Sequence, residues 1–340
     1  MKVLITGGCG FIGSNFIRYF NTKHPYYKIL NVDKLTYAGN LENLKGIERK
    51  RNYRFIKADI SNTKVMKNCF EKFRPDAVIN FAAETHVDRS IVGPSPFIKT
   101  NFLGVGVLLN LALRFQIKKF LQISTDEVYG SILRGSFTEH SPLNPSSPYA
   151  ASKAAADALV MAYYRTHGLP VLITRSSNNY GPYQFPEKLI PLTIINALNN
   201  KKIPLYGDGK NVRDWLSVED NCEAIDIVFQ KGSIGETYNV GGENELTNIY
   251  IVRKILKILN KSESLITFVK DRPGHDRRYS LSLSKIRRQL DWHPTTSFRK
   301  GMDKTIDWYR KHQKWLRNCQ TGEYRTFYRK HYSKLGLQEF

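Results

Sequence analysis

The first thirteen residues restrict the fold more than any other stretch of this chain. Lys2-Val-Leu-Ile-Thr6 is a short apolar run of strand type, and Gly7-Gly-Cys-Gly10-Phe-Ile-Gly13 follows it directly. Beyond the last glycine, Phe16, Ile17 and Phe20 recur at helical spacing. Glycine at Gly7, Gly10 and Gly13 permits a tight turn and lets the backbone approach a pyrophosphate. The helix that starts there offers free N–H groups and partial positive charge to an anion. A glycine triplet alone is common; set between strand and helix it has the context that dinucleotide binding needs. A second strand over 28–32 leads to Asp33. A carboxylate there can accept hydrogen bonds from the adenosine ribose and repel a 2′-phosphate, which favours NAD over NADP. Lys34 is the neighbouring cation that argues the other way.

Strand-type runs recur near 53–57, 77–82, 119–124 and 170–175, and helical patterns lie near 11–22, 62–73, 97–115 and 149–167. Such alternation predicts an α/β fold of Rossmann type, a doubly wound parallel sheet with right-handed crossovers. The run from Ala77 to Ala83 is apolar except at Asn80, as a strand buried on both faces should be. After Arg175 the texture changes. A loop at 178–182 leads to a helix, a short strand at 203–206, a strand at 237–240, a helix over 248–259 and a basic loop over 271–279. The expected organisation is a dinucleotide-binding domain over 1–175 and a smaller substrate-binding lobe over 176–317, interleaved with the last sheet strands. A polar, aromatic tail over 318–340 is expected to wrap the surface.

Two stretches carry the chemistry. Ser124-Thr-Asp-Glu-Val-Tyr129 follows the apolar run Phe120-Leu-Gln-Ile123 and so sits at the C-terminal end of a buried strand. Tyr149 and Lys153 open the helical pattern downstream and, four residues apart, share one helix face. A free phenol is a poor base at neutral pH, and a lysine ammonium one turn away would lower its pKa. Adjacent carboxyls in a partly buried site push their two pKa values apart, so Asp126 and Glu127 can serve as acid and base. The plainer reading of that pair is a helix start favoured by the macrodipole.

With 340 residues, 41% of them hydrophobic, the chain can bury a large core. It has no run of 18 apolar residues and no signal-peptide pattern, so no membrane span is expected. Cys9, Cys69, Cys222 and Cys319 show neither metal nor disulfide spacing, and the eight histidines lack metal-motif spacing. A reducing, cytoplasmic setting without a metal fits these patterns. The net charge of +22 raises the question of nucleic acid. The basic residues are spread along the chain with no accompanying motif, so a basic solvated surface is expected and nucleic acid is not.

The residues resemble the extended short-chain dehydrogenase/reductases, and within them the nucleoside-diphosphate-sugar 4,6-dehydratases, most of all those acting on dTDP-glucose. The similarity runs nearly end to end. It includes the glycine loop, Asp33-Lys-Leu-Thr-Tyr-Ala-Gly-Asn40, Asp59-Ile60, Phe81-Ala-Ala-Glu-Thr-His-Val-Asp-Arg-Ser90 and Ser124-Thr-Asp-Glu-Val-Tyr-Gly130. It continues through Tyr149-x-x-x-Lys153, Asn178 to Pro191, Arg213-Asp-Trp215 and Asp271-Arg-Pro-Gly-His275. Thr85 stands where the family commonly has serine. The related 4-epimerases typically lack the Asp-Glu pair, which makes it the discriminating piece; a UDP-glucuronate decarboxylase is the other rival.

The resemblance implies a lyase that holds NAD. C4 of the sugar is oxidised, water is eliminated across C5 and C6, and the electrons return at C6. It implies Tyr149 as base at the C4 hydroxyl, Lys153 as its partner, Thr125 as donor to the C4 oxygen, Glu127 as base at C5 and Asp126 as acid at the C6 hydroxyl. Cofactor contacts are expected from Gly7, Gly10, Phe11, Ile12, Gly13, Asp33, Lys34, Leu35, Thr36, Asp59, Ile60, Ala82, Ala83, Thr100, Tyr149, Lys153 and Asn179. Substrate contacts are expected from His86, Thr125, Asn178, Lys188, Leu189, Pro204, Tyr206, Arg213, Asn248, Arg272 and His275. Helices near 97–115 and 149–167 are apolar over much of their circumference, and family members pair such helices into a four-helix bundle, so a homodimer is expected.

Overall fold

The computed structural model describes residues 1–320 and Thr326; the sequence-based tail over 318–340 thus falls almost wholly outside the described residues. Seven parallel strands form the main sheet. They are β1 (Lys2–Thr6), β2 (Lys28–Asp33), β3 (Tyr53–Lys57), β4 (Ala77–Asn80), β5 (Lys119–Thr125), β6 (Val171–Ser176) and, after three strands placed elsewhere, β10 (Thr237–Val240). Their order is β10-β6-β5-β4-β1-β2-β3. Chain order reverses between β1 and β4, and a doubly wound sheet opens its ligand crevice at that point, outside the strand C-termini. The predicted fold class is therefore the observed one.

Alternation along each strand assigns side chains to the two faces. Val3 and Ile5 enter one core with Phe16, Ile17 and Phe20 of the helix Phe11–Lys23 and with Val228 and Phe229 of the helix Val218–Lys231. Leu4, between them, enters the other core with Met66, Phe70, Leu108, Leu109 and Val160. Those residues come from the helices Thr63–Phe73, Ser95–Arg114 and Pro148–His167. Each large apolar side chain so buried contributes about 1.5–3 kcal/mol. Three polar groups in the middle of the sheet are matched to one another: Thr6 donates to Asn80, and Asn80 donates to Gln122 at 2.8 Å.

The remaining strands build a smaller half. β7 (Asn178–Tyr180), β9 (Val212–Ser217) and β11 (Glu245–Thr247) form one sheet; β8 (Ile203–Tyr206) and β12 (Ile266–Val269) form another. Their core includes Ile190, Ile251, Ile306, Tyr309 and Trp315. Of these short strands only β8 is visible as a periodic sequence pattern.

The helix Ser95–Arg114 has the length and mean hydropathy, 1.4, of a membrane span, but half of it is buried inside the protein. Its residues Ile98–Gly104 form a π-helical stretch, a widening often found at functional sites. This stretch carries Asn101, whose amide accepts from Glu84 N–H at 2.8 Å and donates to Glu84 C=O and Ser152 Oγ.

Candidate active site

A cleft runs along the C-terminal ends of β1, β2, β4 and β5. Its walls include Gly7, Gly10, Phe11, Ile12, Gly13, Asp33, Lys34, Thr36, Asp59, Ile60, Ala82, Ala83, Thr100, Tyr149, Lys153 and Asn179. Of the expected cofactor set, only Leu35 is outside these walls. Its φ is 56°, a left-handed conformation; its N–H donates to Asp33 Oδ1 at 2.8 Å, and its side chain packs on the core instead.

The glycine loop is shaped by what a Cβ would meet. At Gly7 (φ +68°) a Cβ would fall 2.5 Å from Ala82 N, and at Gly13 it would fall 2.4 Å from Gly7 O. The first helix has no side-chain cap on its N-terminus, so its leading amides remain open to an anion. Asp33 accepts from Cys9 N–H at 2.8 Å, and burial holds its pKa above the usual value against that bond and the one from Leu35. Lys34 is engaged by Asp59 at 2.9 Å. The cation that could have welcomed a 2′-phosphate is thus already paired, and the cradle fits NAD. Asn178 Oδ1 and Asn179 Oδ1 are buried acceptors without a protein donor at the cleft, which suits a ligand that brings its own donors.

The catalytic candidates meet where β5 ends. Thr125 caps a 3-10 turn, Asp126–Tyr129, its Oγ1 accepting from Glu127 N–H at 3.3 Å. The acidic pair does open a helical turn, as the plainer reading held, and it lines the cleft as well. Ser147 caps the helix Pro148–His167 by accepting from Ala150 N–H at 3.1 Å, with Pro148 in the first turn. This places Tyr149 and Lys153, both less than 8% exposed, against the same strand end. Thr125 Oγ1 donates to Asp126 Oδ1 at 3.2 Å, and Lys153 Nζ donates to Ile123 C=O at 2.6 Å.

The electrostatics sort these groups. Both carboxyls are held above their ordinary range by burial, Asp126 much more so. Next after burial, Glu127 pushes Asp126 up, and Arg213 opposes. Glu127 is opposed by three cations, Arg272, Lys188 and Arg213. Asp126 is therefore the group that keeps its proton, and Glu127 the one that ionises first. Tyr149 departs from expectation. Burial and then Glu127 hold the phenol well above its ordinary value. Lys153 itself is pulled down to about 8 by burial, with Asp157 acting the other way.

The expected substrate residues divide. Thr125, Asn178 and Lys188 line the cleft, and Lys188 Nζ donates to Thr85 C=O at 2.9 Å. His86, Leu189, Pro204, Tyr206, Arg213, Asn248, Arg272 and His275 lie outside its walls. His86 faces Glu187 at 3.4 Å. Tyr206 donates to Asp88 at 3.0 Å, and Arg272 pairs with the same carboxylate at 3.2 Å. Arg213 lies over the Tyr279 ring and donates to Asp276 C=O. His275 bonds Asp271 at 2.6 Å, and burial holds its pKa down to about 4. Leu189 packs in the smaller core, Pro204 sits in β8 against β12, and Asn248 starts a helix.

Several cleft residues were not singled out from sequence: Glu84, Ser176, Ser177, Gln184, Phe185 and Glu187. Burial raises Glu187 to about 7 while it accepts from Tyr37 Oη at 2.9 Å. Glu84 and Glu187 lie within the stretches that carry the resemblance, which was the available signal. Asn101 had none. Among the described residues no cluster of His, Cys, Asp and Glu could hold a metal ion, and all four cysteines are buried free thiols.

Comparison with known proteins identifies the family. The family model for GDP-mannose 4,6 dehydratase matches residues 4–305. The dTDP-glucose 4,6-dehydratase of Salmonella typhimurium is 47% identical, over 98% of this chain and 99% of that one. The enzyme of that name from Haemophilus influenzae is 50% identical, over 91% and 98%. Among solved structures, DesIV of Streptomyces venezuelae, a dTDP-glucose 4,6-dehydratase with NAD bound, superposes with a TM-score of 0.91 at 46% identity, covering 94% of this chain and 100% of that one. A parallel sheet with a glycine cradle is common to many dehydrogenases; this level of identity over nearly the whole chain is not, and the chain belongs to the dTDP-glucose 4,6-dehydratases.

Proposed function

We propose that the protein is an NAD-dependent hydro-lyase that converts dTDP-glucose to dTDP-4-keto-6-deoxyglucose. The observation that carries this reading is the unequal pair on one turn: Asp126 fully buried and proton-retaining, Glu127 facing three cations, both beside Tyr149. NAD, when bound, supplies a reversible electron-pair acceptor for C4, which makes the C5 proton acidic. Gly7, Gly10 and Gly13 leave room for its pyrophosphate, and Asp33 suits its adenosine ribose.

The residues divide the proton work. Tyr149 Oη, as the phenolate, takes the C4 hydroxyl proton, with Thr125 Oγ1 steadying the C4 oxygen. Lys153 supplies the neighbouring positive charge on the same helix face. Glu127 removes the C5 proton, and Asp126 gives its proton to the C6 hydroxyl, which leaves as water. The electron pair taken from C4 returns to C6 and Glu127 returns its proton to C5, which completes the turn. Arg213, Arg272 and Lys188 favour an anionic Glu127 and the diphosphate of the substrate alike.

We assign residues 1–175 to the cofactor domain and 176–317 to the substrate lobe. Exposed Ile98 and Leu103 on the helix Ser95–Arg114, beside the helix Pro148–His167, support a homodimer closed as a four-helix bundle. A cytoplasmic site of action accords with four unpaired thiols. The test of the reaction is incubation with dTDP-glucose and with UDP-glucose, followed by the alkali-induced absorbance of a 4-keto sugar. The bases differ by one methyl, worth about 1–3 kcal/mol in a pocket. A higher kcat/KM for the thymidine nucleotide is expected; no 4-keto product from either sugar would defeat the assignment.

A further inference from the structure

A short helix far along the chain is bonded to the loop that braces the glycine cradle. From the helix Gln313–Cys319, Trp315 Nε1 donates to Asn43 Oδ1 at 2.7 Å across 272 residues of sequence. Asn43 in turn donates its Nδ2 to Cys9 C=O at 2.9 Å, inside the Gly7–Gly13 loop. The same carbonyl accepts from Asn40 N–H at 3.0 Å, while Cys9 N–H donates to Asp33. Two more bonds tie this helix to the same loop: Asn318 donates to Glu42 at 2.6 Å, and Asn40 reaches Cys319 Sγ at 3.6 Å. Between β2 and these bonds the loop supplies Thr36, Ala38 and Gly39 to the cleft wall.

We propose that the Gln313–Cys319 helix locks the cofactor: Trp315, acting through Asn43, holds the Cys9 carbonyl and with it the glycine loop in the geometry that retains NAD. The proposal rests on the assignment of NAD to this cleft. Trp315 and Asn43 touch no cofactor; they are positioning residues. Asn43 is 1% exposed, so its amide satisfies both ends only while the indole and the Cys9 peptide keep their places. Loss of the indole N–H leaves Asn43 Oδ1 buried without that donor, and the amide relaxes at the expense of its bond to Cys9.

The experiment measures NAD affinity on cofactor-stripped protein by titration calorimetry, with thermal melts of each variant in the absence of NAD. Trp315→Phe keeps an aromatic ring and removes the donor; its NAD Kd is expected to rise about fivefold or more. Trp308→Phe is the control: Trp308 packs edge-on against Trp315 and stacks on His312 but has no part in the relay, and its Kd should stay within about twofold. Asn43→Ala should weaken NAD as much, and adding Trp315→Phe to it should weaken NAD no further. An unchanged Kd in Trp315→Phe, an equal loss in Trp308→Phe, or additive losses in the double variant would overturn the lock. Wild-type protein that fails to bind NAD would instead remove the cofactor assignment itself.

Discussion

Replacing Glu127 by Gln separates the two halves of the chemistry. The amide keeps the size of the side chain but cannot take a proton. General-base catalysis is worth about 10²–10⁴-fold, so kcat for overall dehydration should fall by that factor, about 3–5 kcal/mol in barrier. The structure adds a second, opposite effect. After burial, Glu127 is the strongest influence that raises both Tyr149 and Asp126. Removing its charge lowers the Tyr149 pKa, so the step at the C4 hydroxyl is spared or eased while the step at C5 stops. The assay is turnover in deuterium oxide with proton NMR of the sugar. Wild-type product should carry deuterium at C5. Glu127→Gln should give almost no product and no exchange at C5, while a 4-keto sugar retaining its C6 hydroxyl builds up on the enzyme. Overall turnover near the wild-type rate, or undiminished C5 exchange, would refute the role given to Glu127.

Other outcomes follow from the same geometry. Asp126→Asn should lower kcat about 10²-fold or more with KM little changed, because the lost proton serves only the departing hydroxyl; steady-state kinetics check it. The pH profile of kcat should be a bell. Activity falls as pH drops through the raised Glu127 value, since the base must be ionised, and falls again as pH rises through the higher Asp126 value, since the acid must keep its proton. A profile flat on its acid side would contradict this order. Asp157→Ala leaves Arg175, 6% exposed and paired with Asp157 at 2.9 Å, without its carboxylate and should cost about 3–5 kcal/mol in urea unfolding. Gly13→Ala sets a Cβ 2.4 Å from Gly7 O and should weaken NAD binding by about tenfold or more while the fold persists by circular dichroism. The proposed homodimer predicts that the unsubstituted protein sediments as a dimer and Leu103→Glu as a monomer.

Much of this was legible in the chain. The strand–glycine–helix start, the βα alternation and the spacing of Tyr149 and Lys153 are local patterns, and local patterns survive in one dimension. The main-sheet strands and the helices Phe11–Lys23, Thr63–Phe73, Ser95–Arg114 and Pro148–His167 fall within a few residues of where periodicity puts them, whereas the helices Val218–Lys231 and Phe298–Lys311 were not marked. Less visible were β7, β9, β11 and β12, runs of three to six residues too short for a period to show and held by pairing rather than propensity. The nucleotide-contact residues were named from resemblance, and the structure gives several of them protein partners: Tyr206 and Arg272 on Asp88, His275 on Asp271. Glu187 was overlooked because nothing local marks a carboxyl whose pKa is pushed up to about 7 by burial.

The two carboxyls show where the division lies. Sequence alone determined that Asp126 and Glu127 sit together at the end of a buried strand, near a phenol and an ammonium on one helix face, because adjacency and helical spacing are properties of the chain. It could not say which one keeps its proton. That was decided by the depth at which Asp126 is buried and by Lys188, Arg213 and Arg272 around Glu127, cations brought from distant segments. A pKa is set by burial and by charges a few ångströms away in space, and only the tertiary fold fixes those.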